Sequence, residues 1–248
     1  MSKHEEDLWQ GIDVSARKGL ETRDYGAASF TRELSQRGVD ASDLTAADRG
    51  APEIKEAWIP GVEIFARKVY PQRHRGLFGE FVRRDEGILA QVGLWPRQWS
   101  AARMFSGTVK GFHVHPPSIP RGSDAVDWLR RLYIDNPEDY SVRSYDKEQW
   151  DVMFFIQGRV EIILRDIRAG LPRRSMRFFV DGDNHRSANN VGVVIPPGVA
   201  HAIRVEGTED AVMVYGTSTV FQPEFEGRIA SEVEAALLPE SWRKFLSL

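Results

Sequence analysis

Six histidines are the groups best suited to chemistry in this chain: His4, His74, His113, His115, His185 and His201. His113 and His115 flank Val114, so on a strand both rings point to one face. Asp151 opens an apolar run that ends at Gly158, and His201 follows the turn Pro196-Pro197-Gly198-Val199-Ala200. Gathered at one point, His113, His115, Asp151 and His201 make a donor set for a divalent metal. Facing a substrate, a histidine instead carries protons on and off at neutral pH. The chain has no cysteine, which removes disulfides, Cys-ligated zinc and a thiol nucleophile.

The order of these residues resembles the two half-motifs of the cupins. The first is His113-Val114-His115 with Asp151 seven residues before Gly158; the second is Pro196-Pro197-Gly198-Val199-Ala200-His201. In metal-binding cupins such side chains converge inside a barrel on Fe, Mn, Zn or Ni. A 35-residue interval separates His115 from Asp151 here.

A second resemblance runs along the same residues. Ile59-Pro60-Gly61-Val62 precedes Arg75-Gly76-Leu77-Phe78-Gly79-Glu80-Phe81, then Gln98, Gly107 and Lys110-Gly111-Phe112-His113. Asp166-Ile167-Arg168, the Ile195–His201 segment and Pro223-Glu224-Phe225-Glu226 follow. This series is similar to the dTDP-4-dehydrorhamnose 3,5-epimerase family, the dTDP-sugar isomerases, over residues 58–228. The resemblance implies a homodimeric cupin jelly roll, acting without a metal on a nucleotide-linked 4-keto-6-deoxy sugar. It makes His113 the base beside the ketone and His201 a second pocket histidine. Arg75, Phe78, Glu80, Gln98, Lys110 and Arg168 become substrate-binding positions, with Arg75 and Lys110 suited to a diphosphate.

Departures from that family bear on the reaction. Its proton-donating tyrosine falls at Val220 or Phe221, neither of which can donate, leaving Tyr215 as the nearest alternative. Its lysine is Asp151, and its glutamine two after the base is His115. His113-Val114-His115 also resembles the histidine pair of sugar-nucleotide ketoisomerases, where protons move on one face. Three activities stay open: a sugar-nucleotide epimerase or isomerase, a metal-dependent cupin enzyme on a small acid or sugar, and a non-catalytic ligand-binding cupin.

Short strands must position these residues. Apolar runs broken by Gly and Pro occur at Val62–Val69, Phe78–Arg83, Ile88–Gly93, Thr108–His115, Val152–Gln157, Val160–Leu164, Ser175–Val180, Val191–Ile195, Ala202–Glu206 and Ala211–Thr217. Ten such runs predict an all-β core, as a sandwich or barrel. With the resemblance, this is a cupin double-stranded β-helix. Gln157-Gly158-Arg159 reads as a tight hairpin. Residues 1–55 read as an N-terminal arm, with helices over 5–19 and 27–37 and a linker over 39–49. Residues 116–149 form a lid-like insertion with a helical piece over 124–133, and the tail from 223 reads as helix.

Composition bounds the rest. The 248 residues carry 33 basic and 36 acidic side chains, a net charge of −3, which argues against a nucleic-acid partner. No apolar run reaches the ~20 residues of a membrane span. The polar, acidic start is unlike a signal peptide, so a cytoplasmic protein is expected.

Overall fold

The computed structural model describes residues 38–46, 57–91, 93–115, 122–130, 148–221 and 227–229. The helices expected over 5–19 and 27–37, most of the 116–149 insertion and nearly all of the tail lie outside these residues. Thirteen strands are described: β1 (Val39–Asp40), β2 (Glu63–Ala66), β3 (Lys68–Pro71), β4 (Leu77–Glu80), β5 (Gln98–Met104), β6 (Val109–Val114), β7 (Asp151–Gln157), β8 (Arg159–Asp166), β9 (Ser175–Asp181), β10 (Val191–Ile195), β11 (Val199–Glu206), β12 (Ala211–Thr217) and β13 (Gly227–Arg228). Three short helices accompany them: α1 (Ala41–Ala46), α2 (Gly87–Gln91) and α3 (Ala125–Arg130).

The strands form a six-stranded sheet, β1-β9-β8-β11-β6-β13, and a five-stranded sheet, β2-β10-β7-β12-β5. β3 and β4 make a separate two-stranded hairpin. β1 runs parallel to β9, and the other pairings are antiparallel.

Alternation explains why the two large sheets stack. Met153 and Phe155 of β7, Val193 and Ile195 of β10, and Met213 of β12 share one buried cluster with Ile162 and Leu164 of β8, Phe178 and Val180 of β9, and Ile203 and Val205 of β11. That cluster is the layer between the sheets. Burying each such side chain contributes about 1.5–3 kcal/mol. The intervening residues Val152, Phe154 and Val194 face the other side, where Leu89 of α2, Leu94, Trp150 and Leu171 cover them.

Glycines turn the chain from one sheet to the other. Gly158 has φ 82°, and a Cβ there would lie 2.7 Å from the Asp210 carbonyl oxygen. β7 pairs with β10 and β12, whereas β8 pairs with β9 and β11. Gln157-Gly158-Arg159 is therefore a corner between sheets, not the hairpin its sequence suggests. An apolar run on each side of a glycine is common to both arrangements. Gly198, φ 75°, makes the equivalent corner from β10 to β11.

Other expectations also change. Ile88–Gly93, expected as a strand, is largely α2; a short apolar run does not distinguish the two, and only Leu89 is buried within this helix. Gln98–Met104 is a seven-residue strand that the sequence reading passed over, because Gln-Trp-Ser-Ala-Ala-Arg-Met lacks β-branched residues. The segment read as a linker over 39–49 contains β1 and α1, and Ala41 is fully buried in the core. Within the expected C-terminal helix, Gly227–Arg228 pairs instead with β6, and Ile229 is buried. In the insertion, α3 is capped by Asp124, which accepts the Asp127 N–H at 2.9 Å. Trp128 of α3 packs against the cluster outside the five-stranded sheet.

The N-terminal described segment is fastened by charge. Glu161 of β8 is wholly buried and accepts the Gly38 N–H at 2.7 Å, Arg177 at 2.9 Å and a further bond from Arg204. Arg159 bridges Asp40 at 2.7 Å and Asp181 at 2.9 Å. Among the described residues no helix is long and apolar enough to cross a membrane.

A histidine–aspartate centre between the sheets

The six-stranded sheet supplies the imidazoles. His113 of β6 is directly opposite His201 of β11, and their rings stack with centroids 5.8 Å apart. His115 follows β6, and its ring lies 5.9 Å from that of His201. The five-stranded sheet supplies the carboxylate. Asp151 starts β7 on the face that carries Met153 and Phe155, so it points into the layer between the sheets. Across the neighbouring strands, Asp151 is opposite Thr217, and Thr217 is opposite Gln98. A polar row thus crosses three strands at one end of an otherwise apolar layer.

Three of these side chains meet. Asp151 Oδ2 lies 3.4 Å from His115 Nε2 and 3.5 Å from His201 Nε2. The ligating atoms of His115, Asp151 and His201 all fall within 4.8 Å of one another, and all three residues are buried. His113, placed with them by the sequence reading, joins through its stack on His201 rather than through that triangle.

The surrounding bonds fix orientation. His201 Nδ1 donates to the Val199 carbonyl at 3.2 Å. The Gln149 amide donates to Asp151 Oδ1 at 2.9 Å and lies 3.1 Å from His115 Nε2. The Thr219 hydroxyl donates to Gln149 Oε1 at 2.8 Å, which sets the direction of that amide. The Gly198 N–H donates to the His115 carbonyl at 2.6 Å, tying the turn before His201 to the strand of His115. Gln149 and Thr219 escaped the sequence reading. The only cue was Gln149 standing two residues before Asp151, on the same face of an extended chain.

Electrostatics follow from burial. Burial pushes the His201 imidazole down, as do His113 and His115, against the opposing pull of Asp151 and the Val199 carbonyl; the result is about 4. Burial alone would raise Asp151, but His115, His201 and the Gln149 amide outweigh it and hold the carboxyl at about 2. At neutral pH the centre therefore holds a carboxylate beside an uncharged His201.

The other expected positions are distributed as follows. Lys110 is opposite Ile203 while His113 is opposite His201, so Lys110 and His113 share a face of β6 across an irregularity in the register. Gln98 accepts the Phe221 N–H at 2.9 Å and donates to Ser100 Oγ at 3.2 Å. Tyr215 is opposite Ser100 and Met153 on the inner face and packs against the core. Val220 and Phe221 are both 56% exposed beyond β12.

Arg75, Phe78 and Glu80 belong to the separate β3–β4 hairpin and its connection. Phe78 stacks on Tyr70 at 6.3 Å, and Glu80 pairs with Arg83 at 3.0 Å. Arg168 differs from its expected substrate contact. It is fully buried, donates to Asp166 at 2.7 and 2.5 Å, and donates to the Pro60 carbonyl at 3.0 Å. A Cβ on Gly198 would fall 2.5 Å from its Cγ. Arg168 thus braces the turn that delivers His201, and its charge is spent inside the protein.

No family model matches the chain. The spore coat polysaccharide biosynthesis protein SpsL of Bacillus subtilis is 26% identical over 152 residues, covering 60% of this chain and 74% of SpsL. Among solved structures, ChmJ, a 3'-monoepimerase from Streptomyces bikiniensis in complex with dTDP-quinovose, matches with a TM-score of 0.50 and 20% identity. The match covers 69% of this chain and 70% of ChmJ. A dTDP sugar isomerase from Desulfovibrio desulfuricans matches with a TM-score of 0.51 and 16% identity, over 74% of this chain and 92% of its own. The fold of this chain is thus the cupin-type jelly roll found in dTDP-sugar epimerases and isomerases.

Proposed function

We propose that the chain is a sugar-nucleotide epimerase or isomerase, working next to the ketone of a nucleotide-linked 4-keto-6-deoxy sugar. The observation that carries this reading is His113 on the inner face of the barrel, stacked on His201 and sharing its face of β6 with Lys110. A carbon acid beside a ketone needs a base at the carbon and positive charge at the oxygen. His113 is the base, and the Lys110 ammonium faces the developing enolate or the diphosphate. The fold shared with ChmJ and the Desulfovibrio isomerase supports the substrate class, and the relative SpsL supports a place in carbohydrate synthesis.

Proton return on the same face fits the chain better than transfer across the sugar ring. Val220 and Phe221 stand where the resembling family has its tyrosine, and neither carries a proton to donate. Tyr215 lies deeper, against the apolar core. The β3–β4 hairpin, with Arg75, Phe78 and Glu80 exposed or partly exposed, is the element that would reach the nucleotide in a homodimer.

The test is exchange of solvent deuterium into dTDP-4-keto-6-deoxyglucose, followed by NMR. Label is expected at a carbon adjacent to the ketone, and His113→Asn should slow its entry by roughly 10²–10⁴-fold. Absence of exchange by the folded wild-type protein, together with absence of dTDP binding, would remove the proposal.

A further inference from the structure

The β3–β4 hairpin shares no ladder with either large sheet, so its pose on the barrel depends on what holds its base. Arg67, between β2 and β3, stands at that base. Its backbone N–H donates to the Asn190 carbonyl at 3.1 Å, which continues the β2–β10 pairing by one residue. Its guanidinium turns to the far end of the hairpin, where Nη1 donates to the Glu80 carbonyl. Nη2 donates to both carboxylate oxygens of Asp183, at 2.8 and 3.1 Å. Asp183 also accepts from the Asn190 amide at 2.9 Å. The guanidinium lies 4.3 Å from the centre of the Phe81 ring and 5.1 Å from that of Phe154, on the outer side of β7. The Arg67 side chain is 1% exposed, so this charge is withdrawn from water. Gly79 of β4 lies against the pair: a Cβ there would fall 2.8 Å from Arg67 Nη2 and 2.8 Å from Asp183 Oδ2.

From this geometry we infer that Arg67 is a positioning residue for the hairpin, fixing the angle at which Arg75, Phe78 and Glu80 leave the barrel. The inference rests on the sugar-nucleotide reading for what the hairpin touches, but not for how it is held. Arg67 ties together the sheet through Asn190, the β9–β10 connection through Asp183 and the hairpin through Glu80. A planar guanidinium, with donors in fixed directions, can set the angle among three such partners; a lysine ammonium, a point charge, cannot. Withdrawing both charges from water costs about what their attraction returns, so the pair is better suited to fixing a geometry than to adding stability. The hairpin is also a lever. A four-residue strand such as β4 is about 13 Å long. A tilt of ~10° at its base therefore displaces the tip by ~2 Å, enough to break a hydrogen bond made by Arg75.

Amide hydrogen exchange, followed by mass spectrometry without ligand, tests the seat. Full-length Arg67→Met and the double variant Arg67→Met/Asp183→Asn are compared with wild type. The double variant leaves no unpaired buried carboxylate, and so covers the case in which the single variant does not fold. Amides over 68–80 should exchange at least ~10-fold faster, while those of β7 and β10 stay as slow as in wild type. Calorimetry with dTDP should show binding weakened roughly 10-fold or more. The KM for dTDP-4-keto-6-deoxyglucose should rise in step, with the saturated rate of label entry within ~3-fold of wild type, because His113 stands on β6 in the other sheet. Unchanged amide exchange over 68–80 in the folded double variant would overturn the inference. Faster exchange there with dTDP affinity and KM untouched would overturn it equally. Wild-type protein that binds no dTDP would instead remove the sugar-nucleotide reading, and amide exchange would still decide whether Arg67 seats the hairpin.

Discussion

Replacing His201 with glutamine tests how the buried centre makes the fold sensitive to acid. The folded imidazole titrates at about 4, because burial and the neighbouring histidines oppose its protonation. In the unfolded chain a histidine titrates near 6.5. Between those values the unfolded state binds a proton that the folded state refuses, so stability falls as pH drops through this window. The separation is about 2.5 units at about 1.4 kcal/mol each, or ~3 kcal/mol in all. Asp151 has the depressed-carboxylate sign: its contribution is complete above about pH 4 and is lost only as pH falls toward 2. It therefore stays out of the His201 window. Urea unfolding between about pH 7.5 and about pH 4.5, with chelator present, gives the profile. The wild-type protein should lose ~3 kcal/mol more than His201→Gln across that range. The slope is the readout, so a general destabilisation by glutamine does not confuse it. Parallel profiles, within ~0.5 kcal/mol of each other, would refute the reasoning.

Three further outcomes are expected. Glu161→Gln leaves two guanidinium groups against a neutral amide in a fully buried position; chemical denaturation should show a loss of ~3 kcal/mol, with Glu206 still holding Arg204 at 2.8 Å. Gly158→Ala forces φ 82° on a residue whose Cβ meets backbone at 2.7 Å; a loss of about 2 kcal/mol or more is expected by the same assay. Ser218→Ala removes an oxygen that accepts the Trp150 N–H and donates to the Glu148 carbonyl, both buried; thermal unfolding should show a cost of about 1–3 kcal/mol.

Spacing made much of this molecule legible. His113 and His115 on one face, Asp151 at a strand start and His201 after a Pro-Pro-Gly turn were readable because strand periodicity and turn chemistry act locally. Partner choice was less readable. Gly158 is a hairpin or a sheet-to-sheet corner depending on what β7 and β8 meet far along the chain. Arg168 carries a motif compatible with a ligand contact, yet its charge is satisfied two residues away by Asp166. Gln149 matters through His115 and Thr219, 34 and 70 residues distant, which periodicity does not report. β5 was missed because its Trp, Ala and Arg residues gain their strand character from pairing with β12 rather than from intrinsic preference.

The two sheets contribute unequally to the centre: histidines come from one and the aspartate from the other. Whatever joins Asp151 to His201 is thus a clasp across the sandwich. Opening the sheets must break it, because the Asp151–His201 contact spans both layers. In a chain without cysteine, no disulfide can brace one layer against the other. The histidine–aspartate contact is instead a polar tie between the layers, and it loosens when acid removes the charge of Asp151.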